Sequence, residues 1–268
     1  MLLTNDSHVK EANRLHEAEK NRTQVKASTL IYPDMDIEDA YQIQSEWMTI
    51  KKSEGRTVAG YKIGLTSRAM QKSMNINEPD YGTLLDDMVF EEGTEIDSSA
   101  FLDPRIEVEL AFYLKEPLFG DKLTVIDVLN ATDYVVPALE LIAARSFRVD
   151  PETGYKRTVK DTISDNAANA GIITGGLPIR PDDIDLRYVP ALMFRNGVIE
   201  ESGVSAAVLN HPAKGIAWLA KKYFQHGISL EPGQVFLAGS FTRPVPVRPG
   251  DTFSVDFGPL GNISCYFT

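Results

Sequence analysis

The stretch RIEVELAFYL, residues 105–114, decides the fold. Ile106, Val108, Leu110 and Phe112 alternate, the two-residue period of a β-strand rather than the 3.6-residue period of a helix. The intervening Glu107 and Glu109 are two apart and share the opposite face. A second run, YVVPALELI (134–142), is also strand-like and also carries an acid, Glu140, inside an apolar stretch. Between the two, TVIDVLNA (124–131) reads as a short helix.

Working outward, the chain divides in character. Residues 7–25 are charged, with Val9, Ala12, Leu15 and Ala18 at helical spacing. In the segment that follows, Asp36 is a candidate N-cap and Ile37, Ala40, Tyr41, Trp47 and Met48 form an apolar stripe. Gly55 is a plausible terminator. Residues 1–55 therefore read as a helical N-terminal segment. Beyond them come strand signals: TVAGYKIGLTS, the two runs above, GIIT, LEPGQVFLAGSF, RPGDTFSVDFG and GNISCYFT. ALMFRNGVIEESG is a hairpin signal, because Asn196-Gly197 suits the positive φ angles of a type I′ turn. NHPAKGIAWLAKKYFQHG is the one clear late helix. The expected fold class is α+β, a helical N-terminal segment followed by a β-rich body. No Pro/Ser/Gly linker divides residues 1–268, so one catalytic domain is expected.

Composition narrows the function. With 38 Asp plus Glu against 27 Lys plus Arg, the net charge is −11, which argues against nucleic-acid or anionic-membrane binding. A small anionic substrate stays compatible, because local positive charge can oppose the net field. The lone Cys265 permits no intrachain disulfide and no multi-cysteine metal site, and suits a cytoplasmic location. No signal-peptide core and no membrane-spanning stretch is read.

Several chemistries have no motif here. There is no G-x-G-x-x-G after a strand, no G-x-x-x-x-G-K-[ST] and no G-x-S-x-G elbow. The four histidines lack metal-binding spacing. His8 and His16 read as solvated residues of a polar helix, His211 as a capping residue and Cys265 as core. Carboxylates and lysine are left. Glu107, Glu109 and Glu140 can form an oxygen-only site for a hard cation such as Mg²⁺ or Mn²⁺, which would offset their mutual repulsion. They can equally lie on a solvated strand face beside Arg105. Lys62, between Tyr61 and Ile63, is costly to bury without a partner, or else a surface lysine on an edge strand. Asp80 sits in the turn-like EPDYG. The polar DTISDNAANAG (161–171) reads as a substrate-binding or plain polar loop. Arg243 is positioned after a strand end, where a guanidinium can grip a carboxylate.

Eight segments, in order over nearly the whole chain, carry a resemblance. YKIGLTS, EPDYGTLLDDM, PRIEVELAF, ATDYVVPALELI, DTISDNAANAG, RNGVIEESG, LNHPAKGIAWLA and GSFTRPVP together resemble the hydratase/decarboxylase branch of the fumarylacetoacetate hydrolase superfamily. The resemblance implies that superfamily's mixed-sheet body, with Mg²⁺ (or Mn²⁺) held by Glu107, Glu109 and Glu140. It implies Lys62 as the acid–base residue, assisted by Asp80, and Ser164 and Ser240 in the substrate site. Tyr61 departs from it, standing where close relatives carry histidine. The activity implied is hydration of a dicarboxylate, 2-oxo-hept-4-ene-1,7-dioate, to 2-oxo-4-hydroxyheptanedioate in aromatic catabolism, by a homo-oligomer of decameric type. Arg243 is expected to hold the distal carboxylate. The alternatives are decarboxylation of 2-oxo-3-hexenedioate and a non-catalytic partner subunit.

Overall fold

The charged first segment and the one after it both fold as helices. The computed structural model describes residues 2–268. Helix α1 spans Asn5–Lys20, capped by Thr4, whose side chain accepts from the Ser7 N–H. The short α2 (Ser28–Ile31) leads to α3 (Ile37–Ser53), which opens with a reciprocal capping box between Asp36 and Asp39. Gly55, at φ +93°, lets the chain turn away after it.

The histidines of α1 are not solvated as expected. Ala12 and Leu15 pack with Ile43 and Trp47 of α3, which turns the flanking polar residues inward. His8 lies 2.9 Å from Asp39 Oδ1, a carboxylate that also accepts the N–H groups of Leu2 and Leu3. His16 pairs with Glu54 at 3.2 Å. Both rings are buried because each has an acid to satisfy it.

From residue 58 the chain is mostly strand. In order come β1 (Val58–Gly64), helix α4 (Arg68–Ser73), β2 (Asp80–Leu85), β3 (Val89–Glu91), β4 (Glu95–Ile96), β5 (Arg105–Leu114), α5 (Val125–Ala131), β6 (Thr132–Ile142), α6 (Val159–Ser164), β7 (Asn169–Thr174), β8 (Pro190–Arg195), β9 (Val198–Val204), α7 (Ala213–Phe224), β10 (Val235–Leu237), β11 (Val245–Pro246), β12 (Thr252–Asp256) and β13 (Asn262–Phe267). One sheet has eight strands in the order β2-β1-β10-β5-β6-β7-β3, with β11 pairing the start of β5. The other has five, in the order β4-β13-β12-β8-β9. Parallel pairs (β1 with β10, β3 with β7, β4 with β13) sit among antiparallel ones, so the body is a mixed sheet. The β8–β9 turn has Asn196 at φ +53° and Gly197 at φ +79°, as its sequence requires.

The pleat decides what each face of the large sheet meets. Ile106, Val108, Leu110 and Phe112 of β5 join Phe253 and Val255 of the smaller sheet and Ile216 and Leu219 of α7 in one core. The residues between them point the other way. Ala111, Val136, Ala138 and Leu237 pack with Leu15, Ile43 and Trp47 of the N-terminal helices and with Ile163 of α6 in a second core. By the same two-residue period the strand acids face this helix-covered side.

The polar run DTISDNAANAG is not an exposed loop. It forms the end of α6, then Asn166, Ala167 and Ala168, all at φ between +51° and +61°, then β7. Three successive left-handed residues other than glycine cost roughly 1–2 kcal/mol each. Specific partners hold them in place. Arg145, buried, donates to Asp165 Oδ1 (2.5 Å), to the Asp165 carbonyl (2.7 Å) and to the Asn169 carbonyl (3.0 Å). Asn166 exchanges two hydrogen bonds with the Thr83 backbone. No helix among the described residues is long and apolar enough to cross a membrane.

Candidate metal centre and active site

In the β5–β6 register Glu107 stands directly opposite Glu140, and Glu109 opposite Ala138. One carboxylate oxygen from each glutamate lies within 4.8 Å of the others. Glu109 and Glu140 are each 1% exposed, and Glu107 is partly buried. The reading of a solvated strand face is thereby excluded, because α3 and α6 cover that side. Glu109 is fixed by the Gly239 N–H, which donates to its Oε2 at 2.8 Å. Gly239 sits at φ +119°, and a Cβ there would fall 2.2 Å from Thr66 Oγ1, so the close approach needs glycine.

Lys62 is not an edge-strand lysine either. Strand β1 lies between β2 and β10, and the side chain is buried with Nζ 3.1 Å from Glu140 Oε1. That oxygen has no hydrogen bond in good geometry, and neither has the buried Asp80 Oδ1. Asp80 faces Gly64 across the β1–β2 pair. A Cβ on Gly64 would fall 2.2 Å from Asp80 Oδ1 and 3.2 Å from Lys62 Nζ. The glycine of the K-x-G spacing thus leaves the space in which lysine and aspartate converge. A cavity of about 410 Å³, lined by Tyr41, Asn75, Glu78, Asp80, Val159 and Ile163 among others, opens onto Asp80.

Burial and crowding shift these groups strongly. Burial, then the charge of Glu140, pushes Glu107 up to about 8 against the opposing pull of Lys62 and Arg148. Burial, then Glu140 and Glu107, raises Glu109 well above the carboxylate range. Burial raises Asp80 to about 6, with Lys62 pulling it down. For Lys62, burial favours the neutral amine, but Glu140, Asp80, Glu107 and Glu109 outweigh it and hold the ammonium above its usual value. Four buried or half-buried acids thus face one buried lysine. Three converging carboxylates, that of Glu140 with an oxygen lacking a hydrogen bond, and a local excess of negative charge suit a hard divalent cation.

The remaining expected site residues divide. Ser164 is fully buried, but its hydroxyl donates to the Lys160 carbonyl inside α6. Ser240 follows Gly239 at the edge of the acid cluster, and its hydroxyl closes a local turn with Thr242. Tyr61, one residue from Lys62, points to the opposite face, where its ring meets Tyr223 and Phe236. Its difference from histidine therefore falls away from the acids. Arg243 is not brought into the cluster. Its side chain is 85% exposed and paired with Glu201 of β9 at 2.8 Å, while its neighbours Phe241 and Val245 take the buried positions. Gly239 carries no sequence signal beyond its place beside Ser240, and Gly64 none beyond following Lys62 by two residues.

No family model matches the chain. The 2-oxo-hept-4-ene-1,7-dioate hydratase of Escherichia coli is 61% identical over 261 residues, covering 97% of this chain and 98% of the relative. The 4-oxalocrotonate decarboxylase of Pseudomonas sp. strain CF600 is 36% identical over 99% of this chain and 98% of its own. Among solved structures, 4-oxalocrotonate decarboxylase from Pseudomonas putida G7, complexed with magnesium and adipate, superposes with a TM-score of 0.94. It is 34% identical, with 99% of both chains covered. A fumarylacetoacetate hydrolase family protein from Yersinia pestis shares the fold over 78% of this chain and 92% of its own, at a TM-score of 0.57 and 16% identity.

Proposed function

The chain belongs to the hydratase/decarboxylase branch of the fumarylacetoacetate hydrolase superfamily, and on that premise we propose that it is a divalent-metal-dependent hydro-lyase. Its substrate in this reading is 2-oxo-hept-4-ene-1,7-dioate, taken as the 2-hydroxy-2,4-dienedioate, and its product 2-oxo-4-hydroxyheptanedioate. The observation that carries the chemistry is the convergence of Glu107, Glu109 and Glu140 beside the Lys62–Asp80 pair. The 61% identity carries the choice of substrate.

The three glutamates would hold the cation, with Mg²⁺ the expected ion and Mn²⁺ a substitute. A cation bound there supplies a Lewis acid that draws electrons toward the 2-oxygen of the substrate. The protein's own groups do the rest. Asp80, raised by burial to about 6, takes the proton that the dienol loses from its 2-hydroxyl and delivers it to C5, giving the α,β-unsaturated ketone. Lys62, fixed as an ammonium, supplies a positive charge beside the electrons that move. Water then adds at C4 and a proton is returned to C3, for a net gain of one water. The cavity that reaches Asp80 would admit the substrate on that side.

Incubation with the seven-carbon dienoate and Mg²⁺, with products identified by mass, tests the reading. Gain of water is the expected result. Loss of CO₂ from 2-oxo-3-hexenedioate, offered in parallel, with no hydration of the seven-carbon compound, makes the chain a decarboxylase instead, and no reaction on either leaves it a non-catalytic partner. A homo-oligomeric state, decameric by the same family argument, belongs to this proposal. The exposed Val198, Ile199 and Val204 of β9 offer apolar surface for it.

A further inference from the structure

Three arginines that the mechanism does not use stand beside the acid cluster. Arg105 lies on the same strand and face as Glu107, two residues or ~6.6 Å away along β5. Its Nε is buried without a hydrogen-bond partner, and its nearest carboxylate, Asp103, is 3.5 Å from Nη2. Arg148 uses that same carboxylate, with Nε 2.5 Å from Asp103 Oδ2. Arg157 faces Arg148 across a hairpin, its N–H donating to the Arg148 carbonyl at 3.1 Å. The Arg157 guanidinium has one contact, Nη1 at 3.3 Å from Asp165 Oδ2, and Arg145 already holds that carboxylate at 2.5 Å. Three guanidiniums thus share Asp103 and part of Asp165.

The arginines sense this shortage of anions. Burial, then the neighbouring Arg105, lowers Arg148, and burial, then Arg148, lowers Arg157 to about 10. They also lie within electrostatic reach of the reaction centre. Arg148 acts on Glu107 and Arg157 on Asp80. In a chain of net charge −11, a half-buried cationic focus at the edge of the active site calls for an anionic ligand.

Resting on the function proposed above, we infer that Arg105, Arg148 and Arg157 form the subsite for the second carboxylate of the substrate and select diacids over monoacids. Guanidinium forks match a carboxylate bidentately. The carboxyl carbons of a seven-carbon diacid are six bonds apart, roughly 7–8 Å in a zigzag of ~1.5 Å bonds. Arg105, two residues from Glu107 along β5, is placed at a comparable separation along the strand. This subsite takes the role that the outward-turned Arg243 cannot fill.

Calorimetric titration of the Mg²⁺-loaded protein with heptanedioate and with heptanoate tests it. The wild type should bind the diacid at least about tenfold more tightly. Arg148→Gln and Arg157→Gln should each lose most of that preference with heptanoate affinity little changed. Arg157→Lys, which keeps the pairing with Asp165, guards against a folding defect and should lose part of it. A preference that survives in the variants, or an equal loss for both ligands, overturns the inference. So does a wild type without preference. Turnover of the seven-carbon dienoate by the wild type, measured separately, tells failure of the subsite from failure of the hydratase reading.

Discussion

Lys62 Nζ lies 3.1 Å from Glu140 Oε1, although β10 and β5 separate their strands. Both residues face the helix-covered side of the sheet, as do Glu107 and Glu109 of β5 between them. The contact ties Lys62, and through it the neighbouring Asp80, to the acid cluster.

Removing the lysine's charge should therefore separate binding from chemistry. In Lys62→Met we expect kcat to fall about 10²–10⁴-fold, while Mg²⁺ still binds because the glutamate oxygens remain. Steady-state kinetics alongside metal titration checks this. Wild-type kcat in Lys62→Met would remove Lys62 from the mechanism.

Asp80→Asn keeps the shape of the residue but removes the carboxyl proposed to carry the proton. Activity should drop by about 10²–10⁴-fold, with deuterium uptake at C5 from D₂O slowed in proportion and Mg²⁺ affinity changed less than about tenfold. Unchanged C5 exchange, read by NMR, would reassign the proton donor.

Gly239→Ala tests how Glu109 is held. The new Cβ meets Thr66 at a backbone angle that side chains rarely adopt, so the Gly239 N–H should withdraw from Glu109. We expect a loss of about 1–3 kcal/mol in stability and weaker metal binding. Thermal melts with and without Mg²⁺ report both, and an unperturbed variant would show that the glycine is dispensable.

Stability should depend on pH in a direction set by the raised acids. Glu107, moved from 4.5 to about 8, and Asp80, moved from 3.8 to about 6, bind protons more tightly folded than unfolded. Without metal their contribution is fully present below about pH 4 and is lost as pH rises toward 8. A cation takes the place of those protons, so the rise in Tm caused by Mg²⁺ should grow across the same window. A Mg²⁺ effect that shrinks as pH rises would contradict the assignment.

The strand character of RIEVELAFYL and YVVPALELI was legible because alternation is a local signal, and so were the capped α3 and the Asn196-Gly197 hairpin. Register was not. That Glu107 faces Glu140 depends on how two strands align across a connection containing α5, which no local pattern states. The same limit explains the histidines, whose acids Asp39 and Glu54 come from another part of the chain, and Arg243, whose partner Glu201 lies on β9. The polar run DTISDNAANAG looked like a loop because its buried partners, Arg145 and Thr83, are remote in sequence. Metal binding by Glu107, Glu109 and Glu140 becomes the favoured reading only through the resemblance of the whole set of segments to a family.

The central claim, that Glu107, Glu109 and Glu140 hold the cation on which hydration depends, is tested most directly by calorimetric titration of Mg²⁺ into the wild type and Glu140→Gln near neutral pH, in buffers of different ionisation heat. The account predicts one Mg²⁺ per chain in the wild type, bound with release of protons from the raised glutamates, and loss of that site in the variant. Absence of a saturable site, or a site that Glu140→Gln leaves intact, would contradict it.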